Sequence, residues 1–242
     1  MVLFLSLLLW HVSTAWGWID AFFVSTPATT IAFLIAYLLS GAAWAHIATT
    51  VYETVAGFAL GALSGVLMGL VLSRFRLLDE ILSPFLTALN ALPRVALAPM
   101  FVLWFGIGSA SKIYLAISVV FFIVMINTQA GVRSVDPDLL TIAKAMGANE
   151  RQRFLKVVLP GSVPAIFAGL RLGAVYALLA VVVGEMLAAK LGLGQEISLY
   201  AGTFQAAGVF SALFILAVIA LSLNAFSGRL EAHLMRWRTP SS

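Results

Sequence analysis

The chain has 242 residues, 62% of them hydrophobic and 10% charged, with a mean hydropathy of +1.05. Soluble domains carry about 25% charged residues, so this composition belongs to a membrane protein. The absence of cysteine excludes disulfides, thiol catalysis and thiolate metal sites, and a net charge of +4 fits basic loops on one membrane face better than nucleic-acid binding.

Lipid offers the backbone no hydrogen-bond partners, so spans are expected to be helices of about 20 apolar residues, and there is room for roughly five to seven of them. A barrel would show short alternating segments instead. Met1 to Trp18 is an apolar run ending in Trp10, Trp16 and Trp18. It lacks the basic start and small-residue cleavage site of a signal peptide, so it reads as a retained first helix with interfacial indoles. Asp20 to His46 contains Ser25, Thr26, Pro27 and Gly41, and its apolar core runs only from Ile31 to Leu39. It reads as an external interfacial or re-entrant segment, with a seventh span over Ala28 to Ala45 as the alternative.

Thr49 to Leu72 is the second predicted helix. Gly57, Gly61, Gly65 and Gly69 recur every four residues on it, a bare ridge that suits close helix packing. Arg74, Arg76, Asp79 and Glu80 make a polar turn. Ile81 to Ile107 is a third apolar region, expected to be bent or interrupted at Pro84, Pro93 and Pro99. Arg94 sits beside the middle break, about 20 Å from the polar turn, a depth at which a charge faces the bundle interior or water. Gly106 to Lys112 is the next turn, and Ile113 to Ala130 the fourth span. Ala165 to Ala189 is the fifth, carrying Arg171, expected to snorkel, and Glu185. Lys190 to Gln205 is a glycine-containing external segment, and Ala206 to Ala225 the sixth span.

Six spans place both termini on one side. Ten basic residues then share that side (Arg74, Arg76, Arg133, Lys144, Arg151, Arg153, Lys156, Arg229, Arg236 and Arg238), against Lys112 and Lys190 opposite. By the positive-inside rule that side is cytoplasmic. The three histidines, His11, His46 and His233, have no metal-ligand spacing and are assigned to the surface or interface. No nucleophile–base pattern appears among the serines and threonines.

Val135 to Pro164 is the one long polar stretch. Asp136 can cap a first short helix with Pro137 in its first turn. Leu139, Ile142, Ala143 and Met146 form an apolar stripe, and Gly147 closes the helix. Asn149 caps a second helix with Gln152 as capping-box partner; Phe154, Val157 and Val158 give it an apolar edge, and Pro160 is expected to stop it. Two amphipathic helices meeting at a glycine suit either the bilayer surface or a partner protein.

Gly147, followed after nine residues by Val157-Val158-Leu159-Pro160, resembles the signature loop of ATP-binding-cassette importer permeases, Glu-Ala-Ala-x3-Gly-x9-Ile-x-Leu-Pro. Thr141, Ile142 and Ala143 stand at the Glu-Ala-Ala positions, so the glutamate is missing. Leu92 to Pro99, Leu103 to Gly108 with Ser111-Lys112, Gly169 to Leu172, Gly184-Glu185-Met186 and Gly192-Leu193-Gly194 are similar to the nitrate, sulfonate and taurine group. The resemblance covers about Ala48 to Trp237.

It implies an all-α polytopic membrane protein of about six transmembrane helices. Residues 1–47 hold the first helix and the external segment, 48–237 the permease domain with its coupling loop at 135–164, and 238–242 a tail. It further implies a bacterial inner-membrane location, a second permease subunit (a homodimer), an external substrate-binding protein, and cytoplasmic ATPase subunits that hold ATP and Mg. The loop residues expected to meet the ATPase are Thr141, Ile142, Ala143, Met146, Gly147, Arg151, Phe154, Val157, Leu159 and Pro160. The chain lacks a G-x-x-x-x-G-K-[ST] phosphate loop, so it is expected to hold no cofactor and to be no enzyme itself. Arg94 and Glu185 are candidates for the translocation path or for buried packing contacts. The expected cargo is a small anion such as a sulfonate, taurine or nitrate. A pyrimidine-type or thiamine-type vitamin precursor is the alternative, and an ATP-independent channel or secondary transporter the rival class.

Overall fold

The computed structural model describes residues 2–234, so Arg236, Trp237, Arg238 and the tail at 238–242 lie outside the described residues. The described residues are helical throughout, with no strand. In chain order come α1 (Val2–Ala15), α2 (Ala21–Val24), α3 (Pro27–Leu39), α4 (Ala42–Arg74) and α5 (Arg76–Ala91), then a 3-10 turn (Arg94–Leu97). α6 (Ala98–Phe105), α7 (Ser109–Arg133), α8 (Pro137–Ala145) and α9 (Glu150–Arg153) follow, then a π turn (Phe154–Val158), α10 (Leu159–Leu187), α11 (Leu193–Gly202) and α12 (Ala206–Leu234). Five helical segments are long and apolar enough to cross a membrane, or six if the bent pair α5 and α6 counts as one.

The centre of the bundle is α7, held between α4 and α10. The α4 glycines all face it: a Cβ on Gly57 would lie 2.6 Å from Ala116 Cβ, and one on Gly61 2.8 Å from Val120 Cβ. On Gly65 it would lie 2.7 Å from the Phe121 carbonyl oxygen, and on Gly69 2.7 Å from Thr128 Cβ. The other side of α7 meets α10 just as closely, with Gly169 against Asn127 Cβ and Gly173 against Val120 and Val124. Lipid removes the hydrophobic drive between helices, so such interdigitation supplies much of their cohesion. Leu115, Ala116, Val120 and Val124 of α7 are buried in the resulting core with Ala177, Ala180 and Val181 of α10.

The three prolines of the third apolar region have different effects. Pro84 sits inside a continuous α5, and Pro99 occupies the first turn of α6, where the lost N–H has no intrahelical acceptor. Only Pro93 breaks the chain. Leu92 before it is extended, as steric clash with the ring demands, and the axes of the flanking segments differ by 77°.

Ala21–Leu39 passes on length and composition as a span of 19 residues, yet its contacts keep it at one end of the bundle. Ser25, at φ 59°, and the Thr26–Thr29 capping box divide it into α2 and α3. Phe22 stacks on Phe204 at 6.0 Å, while Phe33 and Tyr37 meet Tyr200 at 5.3 and 6.4 Å. Ser211 near the start of α12 donates to the Thr30 carbonyl at 3.0 Å. Both ends of the segment thus touch the region joining α11 to α12, and the segment lies across that end. α1 has 14 residues, about 21 Å of helix, and packs Trp10 on Phe210 at 5.4 Å.

The bundle therefore has two unlike ends. The loop end carries Arg74, Arg133 and the 135–158 loop. There Asp79 of α5 accepts from Gln129 and Arg133 of α7, both at 3.0 Å. Arg171 does not reach out alone toward the polar boundary, because it pairs with Glu231 of α12. The far end carries the α3–α4, α6–α7 and α10–α11 turns. Replacing Gly61 by valine should destabilise the protein by about 1–3 kcal/mol through overpacking against Val120. Gly202→Ala, where nothing lies within 4 Å, should stay within about 0.5 kcal/mol. Thermal unfolding in detergent micelles checks the pair, and equal midpoints would remove the weight given to the α4–α7 contact.

Candidate functional site

The loop at 135–164 is built by its caps. Asp136 accepts from the Asp138 N–H at 2.8 Å and starts α8 on Pro137. Gly147 takes φ +81°, a left-handed value costly for any residue with a Cβ, and so reverses the chain after α8. Asn149 and Gln152 exchange reciprocal bonds of 2.9 Å as a capping box that starts α9.

Pro160 does not end the second helix. The turn before it widens into a π turn, with the Leu159 N–H bonding back five residues to the Phe154 carbonyl. The extra residue accommodates a ring that lacks an N–H and would press on the carbonyl four residues earlier. Helix then runs on from Glu150 to Leu187, so the loop is a direct extension of α10.

Leu139, Ile142 and Met146 expose their side chains, Met146 to 82%. With Ala143, Lys156, Val157 and Pro160 they line a groove of about 490 Å³. A second hollow of about 380 Å³ adjoins it at Gly147, Arg153 and Val157. Thr141, at the position of the missing glutamate, turns its hydroxyl back onto the Pro137 carbonyl at 3.1 Å. Arg151 is exposed, while Phe154 and Leu159 are partly buried where the loop joins α10.

Arg94 and Glu185 are not brought together. Arg94 lies halfway along the bundle, its guanidinium 4.1 Å from the centroid of the Phe122 ring. Its Nη2 donates to Asn90 Oδ1 at 2.5 Å and to the Leu89 carbonyl at 3.4 Å. It borders a cavity of about 510 Å³ that also includes Asn127 and Tyr176. No carboxylate contacts it.

Glu185 belongs to a buried polar cluster at the far end. It is 1% exposed and accepts from Thr50 Oγ1 and from the Gly194 N–H, both at 2.8 Å. Thr50 Oγ1 in turn accepts from the Leu193 N–H at 2.9 Å. The Gly192-Leu193-Gly194 turn wraps the carboxylate so tightly that a Cβ on either glycine would strike Glu185, and Gly192 also requires φ +127°. Lys112, placed by the sequence reading in an external turn, is 1% exposed. Its ammonium donates to the carbonyls of Ile107 (2.5 Å), Gly108 (3.2 Å) and Ala188, tying the end of α10 to the α6–α7 turn. His46, assigned above to a surface role, lies 3.5 Å from Glu196 and 3.2 Å from the Gly192 backbone.

Glu53 completes the cluster. It is 2% exposed on α4, and its Oε2 has no hydrogen-bond partner. No motif in the sequence singles it out, although a lone acid inside an apolar helix is a signal in its own right. Among the described residues no group of His, Asp and Glu is placed to hold a metal.

A multi-helix membrane bundle with a capped, apolar-faced loop projecting from its central helices is the architecture of a transport permease. Residues 57–237 match the profile of the binding-protein-dependent transport system inner membrane component, and the chain belongs to that family, the permease subunits of ATP-binding-cassette importers. It is 35% identical over 237 residues to the riboflavin transport system permease protein RibX of Chloroflexus aurantiacus, covering 98% of this chain and 88% of that protein. It is 34% identical to SsuC of Bacillus subtilis, a permease protein assigned to aliphatic sulfonates transport, over 95% and 83% of the two chains. Among solved structures the fold is similar to an inward-facing MetNI methionine ABC transporter, with TM-score 0.64 and 19% identity over 82% of this chain and 97% of that one.

Replacing Glu185 by alanine strands the Thr50 hydroxyl and the Gly194 N–H in a buried site, a loss of about 2–5 kcal/mol. Thr50→Val, which removes one bond to Glu185 and one from the Leu193 N–H, should cost about 1–3 kcal/mol. Denaturant titration in mixed micelles ranks the two variants, and a Glu185→Ala protein as stable as the parent would contradict the geometry.

Proposed function

We propose that this permease works as one of a pair in a bacterial inner membrane, driven by separate ATPase subunits that dock on the 135–164 loop at its cytoplasmic face. The observation that carries the proposal is the exposed apolar face of α8 beside the π turn. Leu139, Ile142 and Met146 stand clear of their own bundle, and the groove behind them continues into α10. A partner seated there is connected by unbroken helix to the core, so its closure moves the spans; a bistable bundle converts that movement into alternating access. The ATP and Mg belong to the partner. The basic residues at the loop end support the cytoplasmic assignment, and family membership supports an external protein that delivers cargo.

The cargo is a small anion of the sulfonate, taurine or nitrate kind. The relative assigned to aliphatic sulfonates supports that class, and so does Arg94, a cation facing an open cavity halfway through the bundle. The similarity to RibX, and 33% identity to the formylaminopyrimidine transport permease protein ThiX of Halalkalibacterium halodurans, keeps a ring-containing vitamin or precursor as the second reading. Glu185, whose acceptors are filled within the chain, serves packing.

Gly147→Pro should abolish substrate-stimulated ATP hydrolysis while the subunit still inserts, and Met146→Glu should lower ATPase co-purification by about tenfold or more, ~1.4 kcal/mol. Pull-down of the tagged permease with phosphate-release assays reads both. Normal coupling in Gly147→Pro, or uptake insensitive to vanadate, would favour an ATP-independent transporter. Arg94→Gln should raise the KM for anion uptake by about tenfold with little change in basal ATPase activity, as loss of one charge-assisted contact predicts. An unchanged KM would place Arg94 in packing instead.

A further inference from the structure

We propose that an exposed polar row on α5 is a wall of the water-filled route from the Arg94 cavity to the loop end, with Ser83, Thr87 and Asn90 as the side chains a solute passes. The direction of travel rests on the importer reading; the wall itself rests on the geometry of α5.

Arg76, Glu80, Ser83, Thr87 and Asn90 follow one another at alternating intervals of four and three residues, which sets them in one row along the helix. With 16 residues, α5 is about 24 Å long. Its other two sides are accounted for. Leu82 and Leu86 turn toward the bundle and pack beside Leu72, Phe122 and Met125. Leu77, Ile81, Phe85 and Leu89 form an exposed apolar side suited to lipid. The polar row lies on neither side, and all five of its residues are exposed. It begins at the loop end, where the neighbouring Asp79 is held by Gln129 and Arg133 of α7. It ends at Asn90, which accepts from Arg94 at 2.5 Å and borders the same cavity.

Hydrocarbon does not suit such a row. A hydroxyl on a lipid-facing helix is ordinarily satisfied by a carbonyl of the preceding turn. Ser64, Ser73, Ser118, Thr128 and Ser222 are satisfied in that way. Ser83 and Thr87 make no such bond. Pro84 adds to the unmet capacity, because it lacks the N–H that would otherwise bond the carbonyl of Glu80, itself a member of the row. Polar groups at membrane depth without a protein partner are stable only against water. The composition of the row suits transit as well. Arg76 and Glu80 pair with each other at 2.8 Å, so between that pair and Arg94 the row presents only neutral hydroxyls and an amide. Such groups exchange a bond to water for a bond to solute and release it again, as a route needs when its sites must let go.

The chain contains no cysteine, so a single introduced thiol reports its own surroundings. The test places cysteine on each side of α5 in the permease–ATPase complex, in vesicles with the cytoplasmic face outward. The probe is a methanethiosulfonate with a fixed quaternary ammonium, read as a mass increase of the permease subunit. The thiolate is the reactive form and apolar surroundings suppress it, so Ser83→Cys, Thr87→Cys and Asn90→Cys should label at least about tenfold faster than Ile81→Cys and Phe85→Cys. Three positions on the row cover the case in which one variant fails to assemble. Equal rates on both sides would overturn the proposal. So would a row that resists labelling, or one whose cysteines instead join two copies under oxidation, since that shows a dry contact. Each of those results leaves ATPase association and vanadate-sensitive uptake intact, whereas failure of the importer reading removes them and leaves the labelling pattern in place.

Discussion

Everything in this bundle depends on how closely α7 approaches its two neighbours. Four glycines of α4 and Gly169 of α10 bring backbones to distances at which a single added carbon would collide with the facing helix, and Gly173 leaves little more room. In lipid that proximity supplies dispersion contacts which the hydrophobic effect cannot provide. The same three helices carry the buried polar cluster: Glu53 and Thr50 on α4, Lys112 on α7 and Glu185 on α10. Packing along the length and the hydrogen bonds of Thr50, Lys112 and Glu185 at the far end make α4, α7 and α10 one slab. The remaining helices are attached less firmly; α5, for instance, buries none of its residues.

That division bears on how force can travel. The loop at 135–164 joins α7, the centre of the slab, to α10 on its flank, and its second helix continues into α10 through a π turn without a break. A push on the apolar face of α8 is therefore delivered to the core. The broken third span is coupled to the slab differently, through Asp79 to Gln129 and Arg133 at one end and through Arg94 over Phe122 halfway along. Its 77° bend places the cation-bearing turn between the slab and the edge formed by α5, where a modest shift of either would change the size of the Arg94 cavity.

Local patterns made much of this legible in the sequence. The four-residue glycine period, the Asp136 and Asn149 caps and the left-handed Gly147 each follow from short-range rules, and each has its geometry in the structure. The features that were not legible depend on partners far apart in sequence. Lys112 reads as a loop lysine until the Ala188 carbonyl, 76 residues on, is seen to hold it. His46 reads as solitary until the Gly192 turn and Glu196 close on it. Pro160 reads as a stop because the rule assumes regular α geometry, which a π turn escapes. Residues 21–39 satisfy every compositional test for a span, and only the aromatic contacts of Phe22 and Tyr37 to one region keep them at one end.

The buried charges divide by a single criterion, whether their hydrogen-bonding capacity is used up within the chain. Lys112 spends all three ammonium donors on carbonyls and each oxygen of Glu185 has a donor, so both are held in place by the chain itself. Arg94 is different: Nη2 makes both of its bonds, and the rest of a five-donor guanidinium stands at a cavity that also contains Asn127 and Tyr176. The far-end cavity, by contrast, is walled by groups of both signs, Glu53 beside Lys112 and Lys190, so it does not favour one charge by itself.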